Sequence, residues 1–409
     1  MSNYRIETIN FEDLENQMTI PTYQRPLVWS KSQKAAFIDN ISRGFPFGSL
    51  LLYKYDNAEQ YSLIDGQQRF STLREYQRHP EEYFPIESNS AKQIDSLMAL
   101  SGAAQQSEDA RTKLRNQFIS AIKEMLHLHA TKRNLPGSYL AQQIKEIYPA
   151  CSDGHMLEIV DIQVELITAL DKYVNLSTLQ IPCVFFTGDK SELPEVFANV
   201  NLGGRKLTKY QVFAAQWNRY QVQLSPEPYS DDILERTISR YEALTEDRDG
   251  LEIEDFSAEE MRRERIVTLP EFCHALGELV ISRCRACWPD KAAEQDDTVD
   301  TIGYNTLAIV FGLRPQEIAG KKEGPQGLPD VFANAGFEDN PTATEHLVKC
   351  MLAEYDEING RFAKFLKKPG SKEAYETSKS SGQLQFLSFF AALWFARYGT
   401  IRSTDFESL

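Results

Sequence analysis

The stretch Tyr61–Leu73 reads YSLIDGQQRFSTL and predicts a β-strand, a polar turn and the start of an α-helix. The apolar run stops at Asp65, and apolar residues recur at helical spacing from Phe70 onward. A glycine turn between a strand and a helix points backbone N–H groups at whatever lies above it, and the helix dipole favours an anion there. Because this turn also carries a carboxylate, two amides and a guanidinium, it suits a phosphate and its metal ion better than it suits packing.

The composition is that of a folded protein and limits what the chain can bind. It has 409 residues, of which 42% are hydrophobic and 25% charged, and this length gives room for two or three domains. The net charge of -15 argues against general attraction to nucleic acid, so a DNA contact would need a local basic patch. Six scattered cysteines are too few for a disulfide scaffold.

Nothing in the sequence predicts secretion or insertion into a membrane. The N-terminal segment MSNYRIETINFEDLENQ has no apolar stretch and no cleavage signature. The most apolar run, Leu384–Phe395, is shorter than the roughly 18 residues required to cross a bilayer, and we interpret it as a buried helix. We therefore expect a cytoplasmic location and no membrane partner.

Residues 1–90 show the signals of a compact α/β unit. Ser30 and Gln33 are spaced as a capping box at the start of a helix that Gly44 would end. Two strand-like runs, joined by a short polar turn, predict a hairpin over residues 49–64.

Three further segments complete the predicted organisation. Residues 91–177 lack strand signals and carry apolar residues at helical spacing, which predicts a helical insertion. Residues 178–222 return to strand character and then show two helices separated by the turn Asn201–Arg205, so we assign them to the second part of the α/β domain. Residues 223–409 are mainly helical, and the proline- and glycine-rich stretch 314–342 predicts an irregular loop. The predicted fold class is therefore α+β.

The polar turn has a structural explanation as well as a functional one. A capped helix start, with surface arginines and a buried glutamine pair, would also account for the residues from Asp65 to Arg69. We favour a functional site because so many polar groups share one turn. Gln24, Arg25 and Gly48 join this constellation, because a guanidinium offers a planar fork for phosphate and a glycine permits close approach.

Two other polar patterns are better explained by structure than by chemistry. Cys284 and Cys287 have metal-ligand spacing, but no second pair accompanies them, so packing on one helical stripe is the better interpretation. Arg262, Arg263 and Arg265 follow an acidic stretch and are interpreted as an ion-pair network rather than a DNA contact. The six histidines form no metal-binding signature, and no Walker A loop is present.

Four motifs together carry a resemblance to a known family. In order, beginning at Ile20, Phe45, Leu63 and Val196, they read IPTYQRPLVW, FPFGSLLLY, LIDGQQRFSTL and VFANVNLGGRKLTKYQ. They resemble the N-terminal domain of the GmrSD restriction endonucleases, a ParB/sulfiredoxin-like domain whose hallmark is DGQQR. The resemblance covers residues 8–85 and 178–217. It implies a ParB/sulfiredoxin-like α/β domain interrupted by a helical insertion and followed by a mostly α-helical C-terminal region.

The resemblance also implies a nucleotide site built around the turn. Its catalytic residues would be Asp65, Gln67, Gln68 and Arg69, and Asp65 would in addition hold Mg²⁺. Its nucleotide-binding residues would be Gln24, Arg25, Gly48, Gly66, Asn201 and Gly204. For the turn that contains Asn201, a plain helix–loop–helix corner stays open as the alternative.

Domains of this kind bind and hydrolyse nucleoside triphosphates in DNA defence systems, where hydrolysis regulates DNA cleavage. We therefore expect a Mg²⁺-dependent nucleoside triphosphatase of a prokaryotic restriction or anti-phage system. Its expected partners are a nucleoside triphosphate, DNA in unmodified or modified form, and a nuclease or other defence protein. Nuclease activity is not expected from this chain, because His346 and Asn359 fall within a helical pattern rather than a His–Asn–His centre. The alternative is a non-catalytic nucleotide- or DNA-sensing module that regulates a partner.

Overall fold

Strands are concentrated in the N-terminal part of this computed structural model, and helices form most of the rest. The structure describes residues 3–21, 27–54, 60–102, 107–149, 153–189, 192–200, 208–247, 253–254, 256–285, 287–288, 292, 295–320, 326–366 and 383–406. The strands are β1 (Tyr4–Asn10), β2 (Met18–Thr19), β3 (Leu50–Tyr53), β4 (Tyr61–Asp65), β5 (Gln180–Phe186), β6 (Gln221–Gln223) and β7 (Ile266–Thr268). The helices are α1 (Phe11–Glu15), α2 (Lys31–Ser42), α3 (Gln67–Arg78), α4 (Pro80–Tyr83), α5 (Ile86–Asn89), α6 (Ala91–Leu100), α7 (Glu108–Ala130), α8 (Tyr139–Ile147), α9 (Met156–Asp171), α10 (Leu193–Val200), α11 (Lys209–Gln216), α12 (Pro228–Asp247), α13 (Ala258–Glu264), α14 (Leu269–Arg283), α15 (Asp296–Val310), α16 (Leu328–Asn334), α17 (Pro341–Leu366) and α18 (Gln383–Arg397).

The α+β class is confirmed by a mixed sheet near the N-terminus and a mostly helical remainder. The chain divides into two compact units. Unit 1 contains residues 1–19, 27–188 and 248–251, whereas unit 2 contains residues 20–26, 189–247 and 252–409. The domain boundaries inferred from the sequence remain predictions.

Unit 1 is built on a five-stranded mixed sheet with the strand order β1-β5-β3-β4-β2. The strand β5 lies between β1, to which it is antiparallel, and β3, to which it is parallel. The strands β3 and β4 form the predicted hairpin, and β2 adds a short parallel edge beside β4. The parallel pair places Leu50 beside Cys183, so the sheet joins chain segments that lie on either side of the helical block.

The first long helix of unit 1 begins and ends where the sequence predicts. At the start of α2, the Ser30 hydroxyl accepts from the Gln33 N–H and the Gln33 side chain accepts from the Ser30 N–H, which completes the capping box. The helix ends before Gly44, whose φ of +72° is a left-handed conformation that glycine adopts without strain. Phe37 and Ile38 are buried on the inner face of the helix.

The described residues between 91 and 177 lie mainly in helices α6 to α9, as the sequence predicts, and these helices share a hydrophobic core with Phe84 and Ile86. The apolar spacing in α9 predicts the helix but does not identify its buried face. Leu157 and Val164 are 80% and 57% exposed, whereas Ile159 and Leu166 are buried in the core. A helix with apolar residues on several faces leaves the choice of buried face to its neighbours.

Unit 2 is organised around an unusually close crossing of α14 and α15. A Cβ atom on Gly277 would lie 2.1 Å from the Val299 carbonyl oxygen, and one on Gly303 would lie 1.8 Å from the Cys273 carbonyl oxygen. These glycines therefore let the two backbones touch directly. Around the crossing, apolar residues from α11 to α18 form one large core.

Two sequence predictions need correction in unit 2, and four strands were not predicted. The stretch 314–342 is not simply an irregular loop, because it contains α16, and Leu328 and Phe332 are buried in the core. The sequence pattern predicts a helix over residues 210–220, but α11 ends at Gln216 and β6 begins at Gln221. The strand β1 is mostly exposed, and β2, β6 and β7 have only two or three residues each, so all four carry a weak apolar signal.

The Phe-rich run forms the amphipathic helix α18. Phe386, Phe390 and Trp394 are buried in the core of unit 2, which confirms the prediction of a buried helix for this face. Phe389, on the opposite side, is 47% exposed. None of the helices in the described part of the chain combines the length and the apolar character needed to span a bilayer.

We expect both Gly277→Ala and Gly303→Ala to destabilise unit 2 strongly. The added methyl group would overlap a carbonyl group of the facing helix, and the helices can relieve this overlap only by moving apart. The expected loss in free energy of unfolding is about 3 kcal/mol or more, measured by thermal or denaturant unfolding.

Gly360→Ala is the matched control for these variants. Gly360 lies inside α17 with nothing within 4 Å of the position of a Cβ atom. Alanine is the better helix former there, so this variant should gain about 0.5–1 kcal/mol. A Gly277→Ala protein as stable as the wild type would contradict the close crossing.

Candidate functional site

The predicted strand, turn and helix are present around Gly66. Strand β4 ends at Asp65, Gly66 has a φ of +101°, and α3 begins at Gln67. A Cβ atom on residue 66 would lie 2.5 Å from Leu50 Cδ2 and 3.1 Å from Arg69 Nη2. Glycine is therefore required here both by the backbone conformation and by the space available.

A β-bulge in the hairpin sets the position of the Asp65 side chain. Leu52 pairs with Leu63, but the adjacent Leu51 pairs with Asp65, so Ile64 is one extra residue on β4. A bulge changes the direction of the side chains that follow it and often occurs beside functional sites. Asp65 thus occupies the end of the strand, where its carboxylate meets the first turn of α3.

The Arg69 guanidinium lies at the centre of the site. Its Nη2 donates to the Ser49 carbonyl oxygen at 2.7 Å and to Asp65 Oδ2 at 3.0 Å. The side chain is 24% exposed, and Gly48, with a φ of +86°, lies against the guanidinium. Its Nε is buried and has no hydrogen-bond acceptor among the described residues. The site therefore contains a fixed guanidinium with donors to spare.

Gln68 connects the turn to the segment that enters α2. Its Oε1 accepts from the backbone N–H groups of both Val28 and Trp29, each at 3.0 Å. The Trp29 ring packs on Phe37, which in turn packs on Phe47 next to Gly48. The Gln68 amide therefore has a positioning role that the sequence did not reveal, because its partners are backbone groups.

An ion pair holds the two helices that flank the site. Lys34 on α2 contacts Glu75 on α3 at 2.5 Å. Burial alone would raise the pKa of Glu75, but hydrogen bonds from Lys34 and Tyr83 outweigh it, so this pKa lies below its usual value. The second half of α3, the helix that carries Gln68 and Arg69, is thus fixed against the first turn of α2.

The structure brings together part of the predicted constellation. Gly48, Asp65 and Gly66 all lie close to Arg69, while Gln67 is buried at the start of α3. The predicted residues Gln24, Arg25, Asn201 and Gly204 lie outside the described residues. The sequence did not identify Ser49 as a site residue, because its contribution is a backbone carbonyl.

No group of three or more histidine, cysteine, aspartate or glutamate side chains among the described residues could hold a metal ion. Asp65 could still provide a single carboxylate ligand to a metal ion that is held mainly by a bound phosphate. Its Oδ2 bonds Arg69, no hydrogen bond from a described residue reaches Oδ1, and the side chain is 29% exposed. One carboxylate is enough for Mg²⁺ when a ligand's phosphates supply further oxygens.

Comparison with known families identifies the N-terminal half of the chain. The family model of the GmrSD restriction endonuclease, N-terminal domain, matches residues 6–218, slightly more than half of the chain. The chain belongs to this GmrSD family. No curated protein matched the sequence. Membership indicates a protein of a DNA restriction or defence system.

The GmrSD match begins in β1 and continues through α11, so it includes the whole turn and the helical block. Outside this turn, the other polar patterns are explained by contacts in unit 2. Arg262 bonds Glu235, Arg263 bonds Glu264 and Arg265 bonds Asp231, which confirms the predicted ion pairs.

The cysteine pattern is also explained by packing. Cys284 and Cys287 are both buried in the core of unit 2, which agrees with the packing interpretation.

His346 and Asn359 both lie on the single helix α17, as their helical pattern predicts.

We expect Gly66→Ala to disrupt the turn. The positive φ is strained for alanine, and the methyl group would overlap the Leu50 side chain, so the free energy of unfolding should fall by about 2–4 kcal/mol. Gly44→Ala is the matched control, because its φ is also positive but nothing lies within 4 Å. That control should lose about 1–2 kcal/mol, and equal losses in thermal unfolding would contradict the role assigned to Leu50.

Gln68→Ala should release the segment before α2. Loss of the shared acceptor leaves the N–H groups of Val28 and Trp29 without this partner, and hydrogen exchange there should accelerate about tenfold or more. Exchange measured by mass spectrometry on peptides covering residues 28–29 provides the test. Gln68→Glu, which keeps the acceptor oxygen, should exchange like the wild type.

Proposed function

We propose that this GmrSD-family chain binds a nucleoside triphosphate at the turn Asp65–Arg69 and hydrolyses it within a restriction or defence system. On this proposal, the chain acts as a regulator, and DNA is cut by a partner nuclease. The observation that carries the proposal is the state of Arg69. Its guanidinium is fixed by Ser49 and Asp65, yet its buried Nε has no acceptor among the described residues.

The surroundings of Arg69 support a phosphate as the missing partner. Arg69 and the N-terminus of α3 both favour negative charge at the turn, and Gly66 adds no side chain that would block approach to the backbone. Guanidinium groups form strong charge-assisted hydrogen bonds with phosphate oxygens. A phosphate oxygen can therefore accept from Nε, and another from Nη1 on a different edge of the guanidinium, while Nη2 keeps its contacts with Ser49 and Asp65.

The remaining residues take roles that follow from their contacts. Asp65 would orient the attacking water or hold Mg²⁺ through Oδ1, which no described residue hydrogen-bonds, and Gln68 fixes the wall formed by residues 28–29. When bound, Mg²⁺ would neutralise charge on the phosphate oxygens. The proposal also includes Gln67 in hydrolysis, and Gln24, Arg25, Gly48, Asn201 and Gly204 in binding the nucleotide.

The proposal predicts that hydrolysis depends on Arg69 and Asp65. Arg69→Gln should lower kcat/KM about 100-fold or more, because it removes charge-assisted donors from the transferring phosphate. Asp65→Asn should lower kcat while nucleotide binding persists. The measurement is phosphate release from each of the four ribonucleoside triphosphates with Mg²⁺, with and without DNA.

Arg78→Gln is the matched control for Arg69→Gln. It removes the same charge from the last turn of the same helix, so phosphate release should stay within about twofold of the wild type. A folded wild-type protein that releases no phosphate under any of these conditions would exclude the hydrolase. Nucleotide binding that is lost in Arg69→Gln but never accompanied by turnover would instead establish a non-catalytic sensing module.

A further inference from the structure

Unit 2 contains a polar cavity of its own, with a volume of about 640 Å³. This volume lies within the range of small-molecule sites. The cavity is formed by one face of α12 and one face of α14, with a contribution from the start of α15. Its central polar residues are Arg236, Arg240, His274, Glu278 and Asp296.

A buried histidine and aspartate form one side of this cavity. His274 Nδ1 lies 2.7 Å from Asp300 Oδ1, and both side chains are almost completely buried. The bond to Asp300 fixes the orientation of the imidazole ring. The other ring nitrogen, Nε2, is 3.8 Å from Glu278 Oε1, which is beyond hydrogen-bond distance. The ring is therefore fixed at one nitrogen, and no described residue lies within hydrogen-bond distance of the other.

Two arginines on successive turns of α12 face the same space, and both are held loosely. Arg236 lies 3.5 Å from Glu278 and 3.4 Å from the Ser282 hydroxyl, while Arg240 lies 3.5 Å from Asp296. Charge-assisted hydrogen bonds in proteins are commonly about 2.7–2.9 Å long. The guanidinium groups therefore keep most of their donor capacity.

A buried donor on Arg236 without a described acceptor favours an anionic ligand. The Nε of Arg236 is buried and has no hydrogen-bond partner among the described residues. The lining also holds the carboxylates of Asp232, Glu235, Glu278 and Asp296, of which Glu235 pairs with Arg262. Glu278 and Asp296 are 25% and 31% exposed, so water can complete their hydration, and the two arginine side chains are exposed to the same degree. Among the described lining residues, the buried side-chain atom without a hydrogen-bond partner is therefore a donor, and it requires an acceptor oxygen.

We propose that this cavity is a binding site for a small phosphate-bearing anion. Arg236 and Arg240 hold the phosphate oxygens, and His274 presents Nε2, the nitrogen opposite the one bonded to Asp300, to a phosphate P–OH group or, as imidazolium, to a phosphate oxygen. The phosphate replaces the long contacts of the two arginines with Glu278 and Asp296. The proposal concerns unit 2 alone and does not depend on hydrolysis at the turn in unit 1.

The test is calorimetric titration of the full-length chain with inorganic phosphate, pyrophosphate and adenosine 5′-monophosphate. Every protein in the series carries Arg69→Gln, so that phosphate binding at the turn in unit 1 does not contribute. We expect the parent to bind at least one of the three probes. Adding Arg236→Gln or Arg240→Gln should weaken binding about tenfold or more, and His274→Gln should weaken it severalfold.

Arg283→Gln is the matched control, because Arg283 lies on α14 but pairs with Asp356 outside the lining. It should leave binding unchanged, and melting temperatures establish that each variant is folded. A folded parent that binds none of the probes in the millimolar range would overturn the proposal. Binding that survives in both Arg236→Gln and Arg240→Gln would also overturn it.

Discussion

The left-handed conformation of Gly66 is the constraint on which the candidate site depends. It allows β4 to turn directly into α3, and it leaves just enough space for Leu50 on the neighbouring strand. The turn thereby brings the carboxylate of Asp65 and the guanidinium of Arg69 to within 3.0 Å of each other. A side chain at this position would push β4 and α3 apart, and Asp65 and Arg69 would no longer be held together.

The polar groups of the turn partly neutralise one another before any ligand binds. Ion pairs with exposed partners usually contribute about 0–1 kcal/mol, and both members of the Asp65–Arg69 pair keep some contact with solvent. The pair therefore orients the guanidinium without committing all of its donors. This arrangement resembles the loosely held arginines in unit 2, where Arg236 also has a buried Nε without a described acceptor. In both units, the donor left over points to an anion as the group that would complete the site.

Local sequence signals predicted the elements of the turn, but not the contacts made through backbone atoms. The structure confirms the capping box of Ser30, the hairpin, and the strand, turn and helix around Gly66. Each of these could be predicted because it depends on residues that are close in sequence. The partners of Arg69 and Gln68 could not be predicted, since they are a carbonyl group and two N–H groups brought close only by folding. The buried face of α9 and the glycine contact at Gly277 depend in the same way on neighbours distant in sequence.

The central position of β5 determines when the sheet can be completed during synthesis. Strands β1 and β3 leave the ribosome early, but neither pairs with the other, because β5 lies between them. The buried members of the helical core run from Phe84 to Leu170 and all precede β5, so these helices can pack while the sheet is still open. Until Cys183 reaches Leu50, the N-terminal strand and the hairpin therefore expose unpaired edges. During synthesis, β1 and the β3–β4 hairpin would thus need protection from aggregation until β5 has been made.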